Sequence, residues 1–221
     1  MNPVDLSTPE GRRAAYREFN LRDHAYIRLA FQNAHWLDDR MLRCNQPWPF
    51  QLRRLRDQGL KTVVNLRGGF DASFYALEKE ACEQLGLAMV DFTVRSREAP
   101  TREQILGARD LFKTIRYPAL MHCKSGIDRG GLMSALYCHF ELGQPIEKAA
   151  RQLGLRYLHL NTGRTGVLDA VFAIYLRDVA PKGISFLDWV RSDAYDPAAI
   201  TADFHATWWG NFLVEKVLRR E

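Results

Sequence analysis

A chain of 221 residues, 47% hydrophobic and 26% charged, has an ordinary folded composition, which excludes a largely disordered or collagen-like protein and predicts one domain. No stretch approaches the ~18 uninterrupted apolar residues of a membrane-spanning helix, and the opening MNPVDLSTPEGRR lacks an apolar signal core, so a cytoplasmic protein is expected. The net charge of +5 resides in residues 1–70, with 12 Lys+Arg against 7 Asp+Glu; the rest of the chain is balanced. A basic third suits anionic lipid, nucleic acid or an acidic substrate, although a solvated surface is its commoner meaning. The basic residues do not interleave with stacking aromatics as in a nucleic-acid module, so no nucleic-acid partner is expected. Cys44, Cys82, Cys123 and Cys138 form no CxxC pair, and without a leader disulfides are not expected.

In chain order, Thr8-Pro9-Glu10 reads as a helix start, a hydroxyl cap followed by proline and an acid. The stretch from Gly11 to about Trp36 then reads as amphipathic and helical, though not uniformly. A short surface helix is predicted between Pro47 and Gly59, a strand over Leu60–Leu66, a helix over Ser73–Leu85 and a strand over Leu87–Val94. After the loop Arg95–Pro100, Thr101 and Gln104 can cap a helix running to about Ile115. Pro118–His122 has the apolar run of a buried strand, and Leu132–Leu142 reads as a helix stopped by Gly143. Beyond it, Ile146–Leu153, Val167–Val179 and Phe186–Arg191 space apolar residues at three and four. The tail from Trp208-Trp209 to Arg220 pairs aromatics with a basic end, as helices on membrane surfaces do, though packing against the domain is the commoner role. The alternation predicts an α/β fold, a central mostly parallel sheet flanked by helices, with an α-helical C-terminal extension.

The chemistry concentrates in Met121-His122-Cys123-Lys124-Ser125-Gly126-Ile127-Asp128-Arg129-Gly130-Gly131, where a buried strand gives way to a helix. Such a loop aims backbone N–H groups and the positive end of a helix at one point, which suits a phosphate or a thiolate. The same field favours the thiolate of Cys123 as a nucleophile. Arg129 can grip two oxygens of a bound anion with its planar fork, which lysine cannot.

His-Cys-x5-Arg in this context resembles the signature of the protein tyrosine phosphatase superfamily, and HCKSGIDRGG especially resembles the bacterial dual-specificity-like members. Upstream, Arg43-Cys44-Asn45-Gln46-Pro47 and Lys61-Thr62-Val63-Val64-Asn65-Leu66-Arg67 also resemble the opening of that catalytic domain. The resemblance covers roughly residues 40–170 and divides the single domain 1–221 into a basic helical segment (1–40), a phosphatase core (41–170) and a helical extension (171–221). It implies a two-step phosphomonoester hydrolysis through a phosphocysteine on Cys123, with no metal or other cofactor. Arg129 and the backbone from Lys124 through Ser125, Gly126, Ile127 and Asp128 to Gly130 would hold the phosphoryl oxygens. His122 would orient the loop and tune the thiolate, or simply be a satisfied core histidine.

Three carboxylates compete for the general acid. Asp128 lies inside the loop and is favoured; Asp91 has a family-like distance to the cysteine but falls within a predicted strand; Glu98 lies on the loop after that strand. Gly130 stands where many members carry a hydroxyl that assists the departing thiolate, which bears on the second step. Cys44 is a candidate partner of Cys123 in an oxidative disulfide, as in some phosphatases of this kind, while Cys82 and Cys138 read as buried thiols. Arg67 and Arg164 could face the site or merely pair with acids. The expected substrate is a protein phosphomonoester of phosphotyrosine type. Lys124, Arg95, Arg97 and the basic N-terminal third favour as alternative a phosphorylated lipid or inositide, with peripheral contact to an anionic membrane. A third reading is a pseudophosphatase that binds phosphate without turnover.

Overall fold

The computed structural model describes residues 4–206, which fall into two compact units. The first contains the chain up to Thr93 together with Thr114–Gly130; the second contains Val94–Lys113 and the residues from Gly131 onward.

The first unit is built on five strands: β1 (His35–Trp36), β2 (Met41–Asn45), β3 (Thr62–Asn65), β4 (Ala88–Asp91) and β5 (Ala119–Cys123). Their order is β1-β2-β5-β3-β4, and every pair is parallel except β1 with β2. The fold is thus the expected α/β arrangement of a mostly parallel sheet flanked by helices, with a helical C-terminal region. Strand β5 is central and buried at every residue, as its apolar run requires. Helices α1 (Pro9–Leu21), α3 (Pro49–Asp57) and α4 (Ser73–Leu85) belong to this unit. Leu52 of α3 and Ala81 and Cys82 of α4 pack on Leu42, Val63 and Leu120 of the sheet, while Ala15 and Phe19 of α1 meet Leu77 of α4. Thr8 caps α1 as read from the sequence, its Oγ1 accepting from the Gly11 N–H at 3.1 Å.

Three departures from the sequence reading shape the site. The helical stretch expected to run toward Trp36 ends at Leu21; the chain then forms a loop, a single turn α2 (Ile27–Ala30) and the edge strand β1. It breaks there because Asp23 and Arg28 turn inward to pair with each other, which a continuous surface helix would prevent. Strand β2 carried no strand signal because Arg43 and Asn45 interrupt its apolar residues, yet all five of its residues are buried. Helix α6 (Asp128–Phe140) starts four residues earlier than Leu132, with Gly130 and Gly131 inside it. Gly131 is there for packing: a Cβ would lie 2.7 Å from Leu153 Cδ2.

In the second unit, α5 (Arg102–Thr114) begins with the expected capping box, the Thr101 N–H donating to Gln104 Oε1 and the Gln104 N–H to Thr101 Oγ1. The predicted helix over Ile146–Leu153 is shorter, α7 (Ile146–Ala149) followed by a 3₁₀ turn. Helix α8 (Val167–Ile174) continues in π-helical turns to Val179, and α9 (Phe186–Arg191) has its predicted bounds. Phe172, Tyr175, Phe186, Trp189 and Tyr195 form an aromatic core through ring contacts of 4.9–6.0 Å. The Trp208–Arg220 segment lies outside the described residues. Among the described residues, no helix is long and apolar enough to cross a membrane.

Candidate active site

Strand β5 ends at Cys123, and four residues, Lys124–Ile127, carry the chain into α6. All four of their carbonyls are held by the framework behind the loop. The Gln46 N–H donates to the Lys124 carbonyl (3.4 Å) and Asn33 Nδ2 to that of Ser125 (3.3 Å). A single Arg43 Nη2 donates to the carbonyls of Gly126 (2.7 Å) and Ile127 (3.2 Å). Among the described residues, the four corresponding N–H groups have no protein acceptor. A loop that ties down its carbonyls and leaves its amides unpartnered at the start of a helix is a preorganised oxyanion cradle. Gly126 makes the close turn possible, with φ at +71° and no Cβ, which would otherwise sit 2.6 Å from the Cys44 carbonyl carbon.

Cys123 heads the loop and is nearly buried. Asp128, Arg129 and Gly130 form the first turn of α6, where the acidic Asp128 suits the helix dipole. Arg129 Nη1 donates to the Arg67 carbonyl at 3.4 Å. Gly130 has open space, a Cβ there meeting only Arg43 Nη2 at 3.9 Å, so packing does not explain the missing hydroxyl.

Beneath the loop lies a charged cluster centred on Asp23. Arg67 grips its carboxylate with two bonds (2.7 and 3.0 Å), Arg28 adds one at 2.6 Å, and Lys124 Nζ stands 3.2 Å away. The Arg67 guanidinium also stacks 3.6 Å over the Phe74 ring and donates to Gln46 Oε1. Gln46 Nε2 donates to Glu78 Oε2 (3.2 Å), and Glu78 Oε1 stands 2.8 Å from His122 Nε2, an ion-pair distance without hydrogen-bond geometry. Burial alone would raise the Asp23 carboxyl, but the Arg67 and Arg28 contacts outweigh it and hold the group below the ordinary carboxylate range. The stability this contributes is complete above the unfolded value of ~3.9 and is lost as pH falls from there through the lower folded value. Asp23→Asn leaves two buried guanidiniums without their counter-charge and is expected to cost about 3 kcal/mol in urea unfolding at neutral pH. An unchanged midpoint would show the cluster to be energetically idle.

The other candidate acids sit differently. Asp91 ends β4, and both its oxygens are engaged, Oδ1 by Asn65 Nδ2 (2.9 Å) and Oδ2 by the Tyr75 hydroxyl (2.7 Å). Burial and this carboxylate push the Tyr75 phenol up to about 12. Glu98 belongs to the second unit, where it is exposed and pairs with Arg95 at 2.8 Å. In that unit Arg97, Glu98, Arg164, Thr201 and His205 line an open cavity of about 530 Å³.

All four cysteines are free. The parallel register pairs Asn45 with Cys123 and Cys44 with His122, so pleating sends Cys44 and Cys123 to opposite faces of the sheet. Burial, with Glu78 nearby, pushes the Cys44 thiol well up, and burial pushes that of Cys82 up to about 12. His122 shares the Cys44 face, where it meets Glu78.

Sequence reasoning missed Arg43, Asn33, Gln46, Asp23 and Glu78 as supports of the loop. One signal was available: Met41–Asn45 read as a strand would place Arg43 in the core, where an arginine must have partners.

A family model described as a DSP-PTPase phosphatase fused to NAD+ kinase matches residues 32–165, more than half of the chain. No curated protein matches. Among solved structures, P. aeruginosa TpbA in complex with pTyr is similar at 18% identity and a TM-score of 0.53, over 73% of this chain and 91% of that one. PTPMT1 in complex with PI(5)P is similar at 18% identity and a TM-score of 0.50, over 63% and 94%. Tk-PTP in its active form has 18% identity and a TM-score of 0.51, over 62% and 94%. At these identities the likeness is one of fold.

Proposed function

The chain belongs to the dual-specificity-type phosphatase family whose model matches residues 32–165, and from that premise we propose that it is a metal-independent, cysteine-dependent phosphomonoesterase. The observation that carries the reading is the loop after Cys123, with four carbonyls tied back and four amides unpartnered. In the first step the Cys123 thiolate forms an S–P bond as the P–O bond to the leaving alcohol breaks, and Asp128 gives that oxygen its proton. In the second, water attacks phosphorus, its proton passes to the Asp128 carboxylate, and the S–P bond breaks to release phosphate. The loop amides and Arg129 hold the equatorial oxygens throughout. Asp128 suits the acid because it stands on the same short segment as Cys123 and Arg129.

The bound pTyr of TpbA supports an aryl phosphomonoester of protein origin as substrate, and the bound PI(5)P of PTPMT1 supports a phosphorylated lipid. The cluster of Arg28, Arg67 and Lys124 around one carboxylate favours the second, since it leaves positive charge in surplus under the loop.

The test is phosphate release from phosphotyrosine peptides, inositol phosphates and phosphorylated lipids in mixed micelles. Asp128→Asn is expected to lower kcat/KM on alkyl phosphomonoesters about 10²–10³-fold while sparing kcat/KM on activated aryl esters, whose leaving groups need no proton; kcat falls on both, because hydrolysis of the shared phosphocysteine loses its base. The same loss in Glu98→Gln or Asp91→Asn, with Asp128→Asn unaffected, would move the acid. No turnover by wild type, with phosphate binding retained, would make the chain a binding module.

A further inference from the structure

Glu78 breaks the apolar face of helix α4. The buried positions of that helix are Ser73, Leu77, Glu78, Ala81 and Cys82, while Lys79 and Glu83 face water. A leucine at 78 would continue the face; instead a carboxylate stands there, 1% exposed. Its Oε1 lies 2.8 Å from Nε2 of His122, which is fully buried. Apart from that approach, Glu78 Oε1 and both His122 nitrogens are without a hydrogen-bond partner among the described residues. A buried ionisable pair commonly stabilises a fold no better than apolar side chains of the same size would, so a pair kept under the loop points to a use other than stability.

Glu78 reaches the loop along two lines. His122 immediately precedes Cys123 on β5. On the other line, Glu78 Oε2 accepts from Gln46 Nε2 (3.2 Å), the Gln46 N–H donates to the Lys124 carbonyl (3.4 Å), and Gln46 Oε1 accepts from Arg67, whose carbonyl receives Arg129. The ionisable groups around the pair come from three sides. On β2 and α4, burial first and the Glu78 charge second push up the thiols of Cys44 and Cys82, and the Tyr75 hydroxyl donates to Asp91. From the loop after α1, Asp23 pairs with Arg28; Arg67, which follows β3, and Lys124 close on the same carboxylate. Each of these cations is bonded to Asp23, and the titratable group in contact with Glu78 is His122. One proton held between Nε2 and Oε1 makes that pair neutral.

We propose that Glu78 is a positioning residue for Cys123, given Cys123 as the nucleophile of the proposed reaction: its carboxylate holds a proton on the His122 ring, and that ring, one residue from the sulfur, favours the thiolate that attacks phosphorus. A positive charge across one strand from a sulfur stabilises its ionised form, and the counter-charge lies beyond the ring, so the pair acts on Cys123 with its positive end. Without the carboxylate a buried imidazole keeps no second proton, because burial disfavours the charged form. Charge is thus separable from shape. Glutamine at 78 fills the same space and can still accept from Gln46, but it cannot hold the proton on His122.

The test is the rate at which iodoacetamide alkylates Cys123 in the full chain, read by peptide mass analysis from about pH 5 to pH 9, with inorganic phosphate as protecting ligand. Glu78→Gln is expected to slow alkylation about three- to tenfold at and below neutral pH, with the two profiles converging at high pH and phosphate protection within a few-fold of wild type. His122→Asn is expected to show the same displaced profile, and adding Glu78→Gln to it to slow alkylation no further. Three results overturn the proposal: a Glu78→Gln profile that superimposes on wild type, a loss that persists undiminished at high pH, or an equal further loss in the His122→Asn background. Should Glu78→Gln fail to fold, judged by its thermal midpoint, His122→Asn decides alone, and a wild-type profile in it overturns the proposal. Alkylation that behaves as expected in a chain that releases phosphate from no phosphomonoester would sustain the role of Glu78 and defeat the phosphatase reading instead.

Discussion

Cys123→Ser is expected to lower phosphate release by at least about 10⁴-fold while leaving the affinity for inorganic phosphate within a few-fold of wild type. The two effects separate because two different parts of the loop produce them. In the proposed mechanism anion binding rests on the amides of Lys124–Ile127 and on Arg129, and the carbonyls that orient those amides are fastened to Asn33, Arg43 and Gln46, none of which the substitution touches. The proposed nucleophile, by contrast, is the Cys123 sulfur alone. A serine hydroxyl at neutral pH is a far weaker nucleophile without an adjacent base to activate it. Cys44 cannot stand in, being buried on the opposite face of the sheet with its thiol pushed well up. Steady-state turnover and phosphate competition measure the two quantities, and a variant that retained a tenth of wild-type turnover would remove Cys123 from the mechanism.

Arg43→Met is expected to lower kcat/KM about 10²–10³-fold with the fold retained. Arg43 is fully buried on β2, and one of its nitrogens holds two successive carbonyls of the loop, those of Gly126 and Ile127. Methionine fills much of the same space but offers no donor, so both carbonyls lose their partner and the peptide planes that aim the amides are free to rotate. Losing one preorganised oxyanion donor typically costs 10²–10³ in rate, which sets the scale. Arg43→Lys should recover only part of the loss, because an ammonium supplies a point charge without the guanidinium's fixed geometry. Phosphate affinity should fall along with kcat/KM in both variants. Activity within threefold of wild type in Arg43→Met would show that the loop holds its shape without this support.

What the sequence reveals of this site follows from how local each feature is. His122 to Gly131 is a contiguous segment whose strand and loop carry their own signals, so the proposed nucleophile and arginine could be picked out there even though the helix was expected to start four residues later than it does. The supports could not, because they come from far along the chain: Arg43 lies 83 residues from Gly126 and Asn33 lies 92 residues from Ser125. Strand β2 was hidden for the same reason that it matters, since its buried Arg43 and Asn45 spoil the apolar run that marks a core strand. Helix α4 was legible to its exact bounds, with Gly86 closing it in the left-handed conformation. The break after Leu21 was not, because only the folded chain supplies Arg67 as the distant partner that makes an inward-turned Asp23 worth its desolvation. Arg67, left open between site and ion pair by sequence, pairs with Asp23, and its own carbonyl receives Arg129.

The most direct measurement of the central claim is acid-quenched peptide mass analysis of the enzyme during turnover of an aryl phosphate, with Asp128→Asn included to slow the second step. The account predicts a phosphoryl group on the peptide containing Cys123, enriched in Asp128→Asn and absent from Cys123→Ser. Sustained turnover with no phosphorylated Cys123 at any quench time would contradict it.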